Sequence, residues 1–360
     1  MKIRDRYIAK TLLSYTLVVL VVWLSIYSFF NLLTEINVVG QESYTILSAI
    51  KYIILKMPEV TYSQASPVIL LGCVLGMGHL ATTNQLLIFR ISGASILIIT
   101  GTTLKNALIF VISIIAIGEA IAPMSSNFAE LGRSNALGNI AVSTSQEGFW
   151  IRDGESFINV KKSVGGKIFK GLTVIEVNSS NSRISTVVTS EKATFDGKSL
   201  ETESADIFSI DASKEIDEVS LKSNSYNKTV SFDQDLIDSL KKEPKDLTTW
   251  TIIKQIQFLS DNKLRSGVFE VELYKRLIKP VTLVAMILLA MLFIFGSTRD
   301  VTLGRKIFFG VALGLSFEML SRIASALALS FDFNPLISAV LPSTLVMLIS
   351  ITLLIQKSMS

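Results

Sequence analysis

The chain has one cysteine and one histidine in 360 residues. Cys73 has no partner for a disulfide within the chain, and Cys73 with His79 is too little for a metal cluster. Charge is scarce too. Asp, Glu, Lys and Arg make up 18% of the chain, against about 25% in soluble domains. The excess of base is small, +4, and no basic stripe interleaved with aromatics points to nucleic acid. No G-x-x-x-x-G-K-S/T phosphate loop, H-E-x-x-H pair or nucleophile elbow occurs. ATP binding of the P-loop kind is excluded, no catalytic residue stands out, and no cofactor is expected. If the chain does work, something else supplies the energy.

What is present is apolar sequence. Hydrophobic residues reach 49% and the mean hydropathy is +0.51. They fall in two blocks, Met1–Pro123 and Leu277–Ser360, around a polar middle. This reads as one membrane domain interrupted by one soluble domain. Thr11–Thr34 carries no charge, and about 20 apolar residues cross the hydrocarbon core. It follows Lys2, Arg4, Arg6 and Lys10 as a signal peptide would, but such apolar regions run only about 7–15 residues. It is a retained helix.

The second uncharged run, Val60–Phe89, outlasts one span. Gly72, Gly76 and Gly78 give it a small face for close helix packing, and the span ends near Leu80. Asn84–Gly93 then forms a separate short helix, with Thr83 or Asn84 as its cap and Gly93 left-handed at its end. A third span covers Leu104–Ala122 and stops at Pro123. Thr248–Lys279 has the mixed pattern of a helix lying on the membrane surface. Three spans follow: Pro280–Phe295, Ile307–Leu329 and Pro335–Ile355.

The polar middle reads as β structure. Asp153–Gly154 and Asp196–Gly197 are hairpin turns between alternating segments. Gly171–Val177 and Arg183–Thr189 are β-branched. Repeated short strands without crossover helices predict a sandwich or jelly roll. The fold class is therefore membrane α-helical, six transmembrane helices with an inserted all-β, jelly-roll-like domain. Its divisions are 1–123 with the short helix at 84–93, 124–254 for the β domain, and 255–360.

Lys and Arg in short loops orient the spans. The N-terminus, the loop with Arg299, Arg305 and Lys306, and the tail with Lys357 share one side with Arg90 and Lys105. The opposite loops carry Glu35, Glu42, Glu59 and Asp332 against Lys51 and Lys56. Both termini are thus cytoplasmic, with the β domain outside. Within the spans lie Glu119 and the i,i+4 pair Glu318 and Arg322. That pair serves either mutual neutralisation on one helix face or a substrate-facing role.

Five stretches carry a family resemblance. They are Asp5–Lys10, Asn84–Gly93, Ile117–Pro123, Gln146–Gly154 and Phe293–Gly296 through Arg299. In this order and spacing the chain resembles the LptF/LptG family of lipopolysaccharide-export permeases over nearly its full length, its LptG branch most of all. The resemblance implies a location in the bacterial inner membrane with the β domain periplasmic. It implies as partners an LptF-like permease, a cytoplasmic ATPase dimer, a single-span LptC-like periplasmic protein, and lipopolysaccharide. The ATPase would meet the short helix at Gln85, Leu86, Ile88, Phe89, Arg90 and Gly93. Gln85 stands where the family commonly has glutamate. Where well-known members carry lysines after the first span, this chain has Asn37 and Val38, with Lys51 and Lys56 as substitutes. For the substrate cavity, Phe29, Phe30 and Leu33 would meet acyl chains, and Phe317 and Arg322 would line the fifth span. The alternatives are a motor-independent scaffold or channel whose β domain anchors periplasmic partners, and a lipid-modifying enzyme, for which no convergent site is found.

Overall fold

A computed structural model describes residues 3–137, 149–164, 167–178, 183–211, 218–233, 236–237, 243–296, 303–331 and 333–359. Lys2, Gln146–Gly148, Arg299 and Asp332, each used above, lie outside these. The described chain divides into two compact units, Met1–Arg133 with Glu270–Ser360, and Ser134–Phe269.

The first unit is helical. A backbone in hydrocarbon must satisfy its own hydrogen bonds, and a helix does so within one segment. Among the described residues, six helices are long and apolar enough to span a membrane. The first, α1 (Ile3–Ile36), is followed by α2 (Ile46–Ser63), whose start is capped by Thr45 Oγ1 accepting from Ser48 N–H at 3.3 Å. Lys51, Lys56 and Glu59 predict a loop here, but a helix forms and Lys56 and Glu59 pair on it at i,i+3. Gln64 separates it from α3 (Ala65–Thr82).

The centre of the unit is α3, with 78% of its residues buried, against 11% in an 18-residue stretch of α1. Two helices close on it over glycines. A Cβ at Gly72 would lie 2.5 Å from Thr16 Oγ1, and one at Gly76 would lie 3.4 Å from Tyr15 Cβ. From the other side, α9 (Leu303–Ser330) brings Gly310 to Leu71 and Gly314 to Pro67. Rising numbers on α1 and α9 meet falling numbers on α3, so both run antiparallel to it. Glycine here permits close approach of backbones where no hydrophobic drive between helices exists in lipid.

After the short α4 (Gln85–Ile91) comes α5 (Ile96–Ala116), capped by Ser95 Oγ accepting from Ile98 N–H. The expected stop at Pro123 does not occur. A π-turn at Ile117–Ile121 joins α5 to α6 (Ala122–Ala136) in one rod. Ala122 N–H bonds to Ile117 C=O. That wider turn shifts the hydrogen-bond ladder just where proline has no N–H to give. Helix therefore continues thirteen residues past the boundary expected at 123.

In the second unit, strands β1 (Phe149–Asp153), β2 (Ser156–Val164), β3 (Ile168–Asn178), β4 (Arg183–Phe195), β5 (Ser199–Asp211) and β6 (Glu218–Thr229) form one antiparallel sheet in sequential order. The all-β domain is present, and its described strands make a meander. Both Asp-Gly turns are where alternation put them, with Gly154 at φ +60 and Gly197 at φ +100. Asp196 Oδ1 accepts from the N–H groups of Lys198 and Ser199, which holds its carboxyl below the usual range. Ile158, Phe169, Val174, Val188 and Leu200 are buried on the inner face, with Phe232 and Ile237 beyond β6.

The surface helix expected over Thr248–Lys279 resolves into two. The first, α7 (Thr249–Asp261), presses Phe258 on the β core. Asn262 and Lys263, the latter at φ +55, end it. Then α8 (Gly267–Gly296) runs on through Pro280 as the fourth span, and α10 (Pro335–Met359) is the sixth.

Candidate functional site

Three features of the helical unit bear on function. The first is α4, seven residues between α3 and α5. Neither expected cap acts. Thr83 donates its hydroxyl back to His79 C=O at 2.8 Å, and Asn84 is itself left-handed at φ 59. Gly93, at φ +90, does end the segment, and Ala94 N–H closes on Phe89 C=O at 3.0 Å. The side chains then sort by face. Leu86 is buried, and Phe89 packs on the cluster that holds Met77 and Leu80. Leu86 and Phe89 thus anchor α4 to its own protein, correcting the expectation that they point outward. Ile88 is 61% exposed and Ile91 78% exposed, with Arg90 exposed between them. Ile91 was missed, although its i,i+3 spacing from Ile88 was readable. Gln85 is half-buried, and its Oε1 has no hydrogen-bond partner among the described residues.

The second is a recess of about 350 Å³ between α1 and α2, lined by Ser25, Ser28, Phe29, Ile50, Ile53 and Met57. Its walls are mostly apolar. Ser25 spends its hydroxyl on Val21 C=O. Phe29, Phe30 and Leu33 are all exposed on α1, and the rings of Phe29 and Phe30 meet edge to face at 5.6 Å. Phe317 and Arg322 are not with them. They line a smaller recess, about 100 Å³, bounded by α3, α8, α9 and α10. Phe317 is 6% exposed, held in the bundle core, so it backs that recess instead of walling an open cavity. Arg322 Nε reaches Glu318 Oε1 at 3.3 Å while its side chain stays 69% exposed. Of the five residues expected to share a cavity, Phe29 lines the first recess and Phe317 and Arg322 the second, while Phe30 and Leu33 line neither.

The third feature was invisible to sequence reading, since its members lie up to 98 positions apart. Tyr44 donates to Glu35 Oε2 at 2.7 Å, and Arg133 of α6 donates to the same carboxylate at 3.0 Å. The Arg133 guanidinium also stands over the Tyr52 ring at 5.5 Å. Below them Lys56 Nζ meets Glu59 at 2.9 Å, Glu130 at 3.1 Å and Ser126 Oγ at 2.8 Å. Glu35 and Lys56 are buried. Burial and the Glu35 carboxylate push the Tyr44 hydroxyl up to about 12. The network ties the ends of α1, α2 and α6 together. It also removes Lys56 as a substitute phosphate ligand, because two carboxylates already hold its charge. Lys51 remains exposed.

Glu119 sits in the π-turn, half-buried, beside Gly118, which packs against the Tyr62 ring. Among the described residues, no three His, Cys, Asp or Glu side chains converge as metal ligands would.

The family model for the lipopolysaccharide export system permease LptF/LptG matches residues 6–356. The lipopolysaccharide export system permease protein LptG of Escherichia coli (strain K12) is 27% identical over 360 residues, 98% of each chain. The protein of the same name from Haemophilus influenzae is 24% identical over 355 residues, again 98% of each.

Proposed function

This chain belongs to the LptF/LptG family of lipopolysaccharide export system permeases, and on that premise we propose that it is the non-catalytic half of an ATP-driven lipid extractor. It sits in the bacterial inner membrane with both termini cytoplasmic and the β domain periplasmic. It pairs with an LptF-like permease, and a cytoplasmic ATPase dimer supplies the energy. A single-span LptC-like protein and the β domain receive the lipopolysaccharide. Phe29, Phe30 and Leu33 on α1 meet its acyl chains, and exposed Lys51 is the nearby cation for its phosphates.

One observation carries this reading. The seven-residue α4 is too short to be stable alone, yet it holds two large apolar side chains, Ile88 and Ile91, away from its own protein. Leu86 and Phe89 fix its other face to the packed core around α3. A push on the outer face therefore moves the bundle instead of bending a loop, as coupling to a motor requires. A scaffold needs no such anchored knob.

The test is directional cross-linking in the assembled complex. Cysteines at Ile88 and Ile91, made in a Cys73→Ser background, should cross-link to a P-loop ATPase, and one at Leu86 should not. Labelling of both Ile88→Cys and Ile91→Cys by a water-soluble thiol reagent in the intact complex, without cross-links, would contradict docking.

A further inference from the structure

The smaller recess holds an unbalanced charge. Lys275 and Lys279 of α8 and Arg322 of α9 line it against a single carboxylate, Glu318. Glu318 pairs with Arg322. Among the described residues neither Lys275 nor Lys279 has a carboxylate within ion-pair distance. Lys279 Nζ instead donates to the Ser63 carbonyl at 3.3 Å and stands 5.3 Å from the centre of the Tyr62 ring. Glu318 and Glu272 act on it only from farther off.

Depth makes this arrangement informative. Sixteen residues separate Lys279 from Phe295 at the far end of α8, roughly 24 Å at a helix's rise. Fifteen separate Arg322 from Ile307, roughly 22 Å by the same rise. In a hydrocarbon core of about 30 Å, both lie toward the face where lipid phosphates begin. Ionisable groups within a span are costly unless they face a partner or a polar ligand. The walls suit a headgroup. Thr282 and Ser343 share a hydrogen bond at 2.6 Å and place hydroxyls in the recess, while Phe317 and Ile278 give it an apolar side.

We propose that the recess between α8, α9 and α10 binds the phosphate of a resident anionic phospholipid, separately from the transported lipid. Lys279 and Arg322 grip the phosphate oxygens, with Lys275 alongside, and acyl chains lie against the bundle outside. Glu318 tunes the site by competing for Arg322. The recess shares no helix with the α1–α2 recess, so the site stands whether or not the transport path runs along α1.

Native mass spectrometry of the intact complex in a nonionic detergent tests this, with dioleoylphosphatidylglycerol as the probe. Phosphatidylcholine, lipopolysaccharide and inorganic phosphate are the comparison arms. The wild type should retain phosphatidylglycerol in preference to phosphatidylcholine, and millimolar phosphate should not displace it. Removing two charge-assisted contacts by Lys279→Gln with Arg322→Gln should weaken retention about tenfold or more. Glu318→Gln, which removes only the competitor, should strengthen it, and this variant guards against a fold lost with Lys279. Unchanged retention in both variants would overturn the proposal. So would equal retention of phosphatidylcholine, displacement by free phosphate, or a preference of these residues for lipopolysaccharide.

Discussion

At the scale of single residues, burial decides which charges are available. Lys56 and Lys51 look alike in sequence, both on the loop side of the second span. In the structure Lys56 is enclosed by Glu59, Glu130 and Ser126, and Lys51 is exposed. Lys56→Ala should leave two carboxylates without their cation and cost about 3 kcal/mol, read as a lower melting temperature in detergent. Lys51→Ala should leave melting unchanged and weaken lipopolysaccharide binding. Tyr44 gives a pH signature at the same network. Its folded value, about 12, lies above the ordinary value of about 10. Above pH ~10 the unfolded chain loses the proton and the folded chain keeps it, so stability present at neutral pH is lost between those two values. Melting of Tyr44→Phe should lack this part of the alkaline decline. None of this was legible in the sequence, because Glu35 and Arg133 stand 98 positions apart and meet only through their side chains.

Individual elements were readable in proportion to how strongly one physical demand fixed them. The spans α1, α3 and α8 to α10 declared themselves because a bilayer imposes long uncharged runs. The short helix α4 was marked by Gly93, whose positive φ the turn requires. Its facing was not marked, since apolar residues serve equally as anchor and as knob. The Asp-Gly hairpins fixed β1–β2 and β4–β5, but the strand rhythm that suggested a jelly roll fits a meander as well. Proline misled at residue 123. Proline ends many helices, but here the π-turn before it shifts the hydrogen-bond ladder and α5 passes into α6. That turn is held by a contact that can be probed. A Cβ on Gly118 would collide with the Tyr62 ring. Gly118→Ala should therefore cost about 1–3 kcal/mol by overpacking, and Tyr62→Leu in the same chain should return part of it. Additive losses in a double-mutant cycle would show that the two do not meet.

For the whole molecule, the parts make sense as a converter without an engine. The chain has no phosphate loop. It has instead a short anchored helix that on the proposed function receives a push, a central span clasped over glycines by α1 and α9, and an apolar α1 face. Family membership identifies the cargo's transport system, and the α4 geometry supplies the proposed link to the motor. The most direct measurement reconstitutes the chain with an LptF-like permease, the ATPase and the single-span LptC-like protein in lipopolysaccharide-loaded proteoliposomes. Transfer of lipopolysaccharide to a soluble β acceptor is then followed with time. The account expects transfer that requires ATP, and that falls at least tenfold when Ile88 and Ile91 are both changed to Asp while ATP hydrolysis by the free ATPase is unaffected. Transfer at the wild-type rate from that double variant, or transfer without ATP, would contradict it.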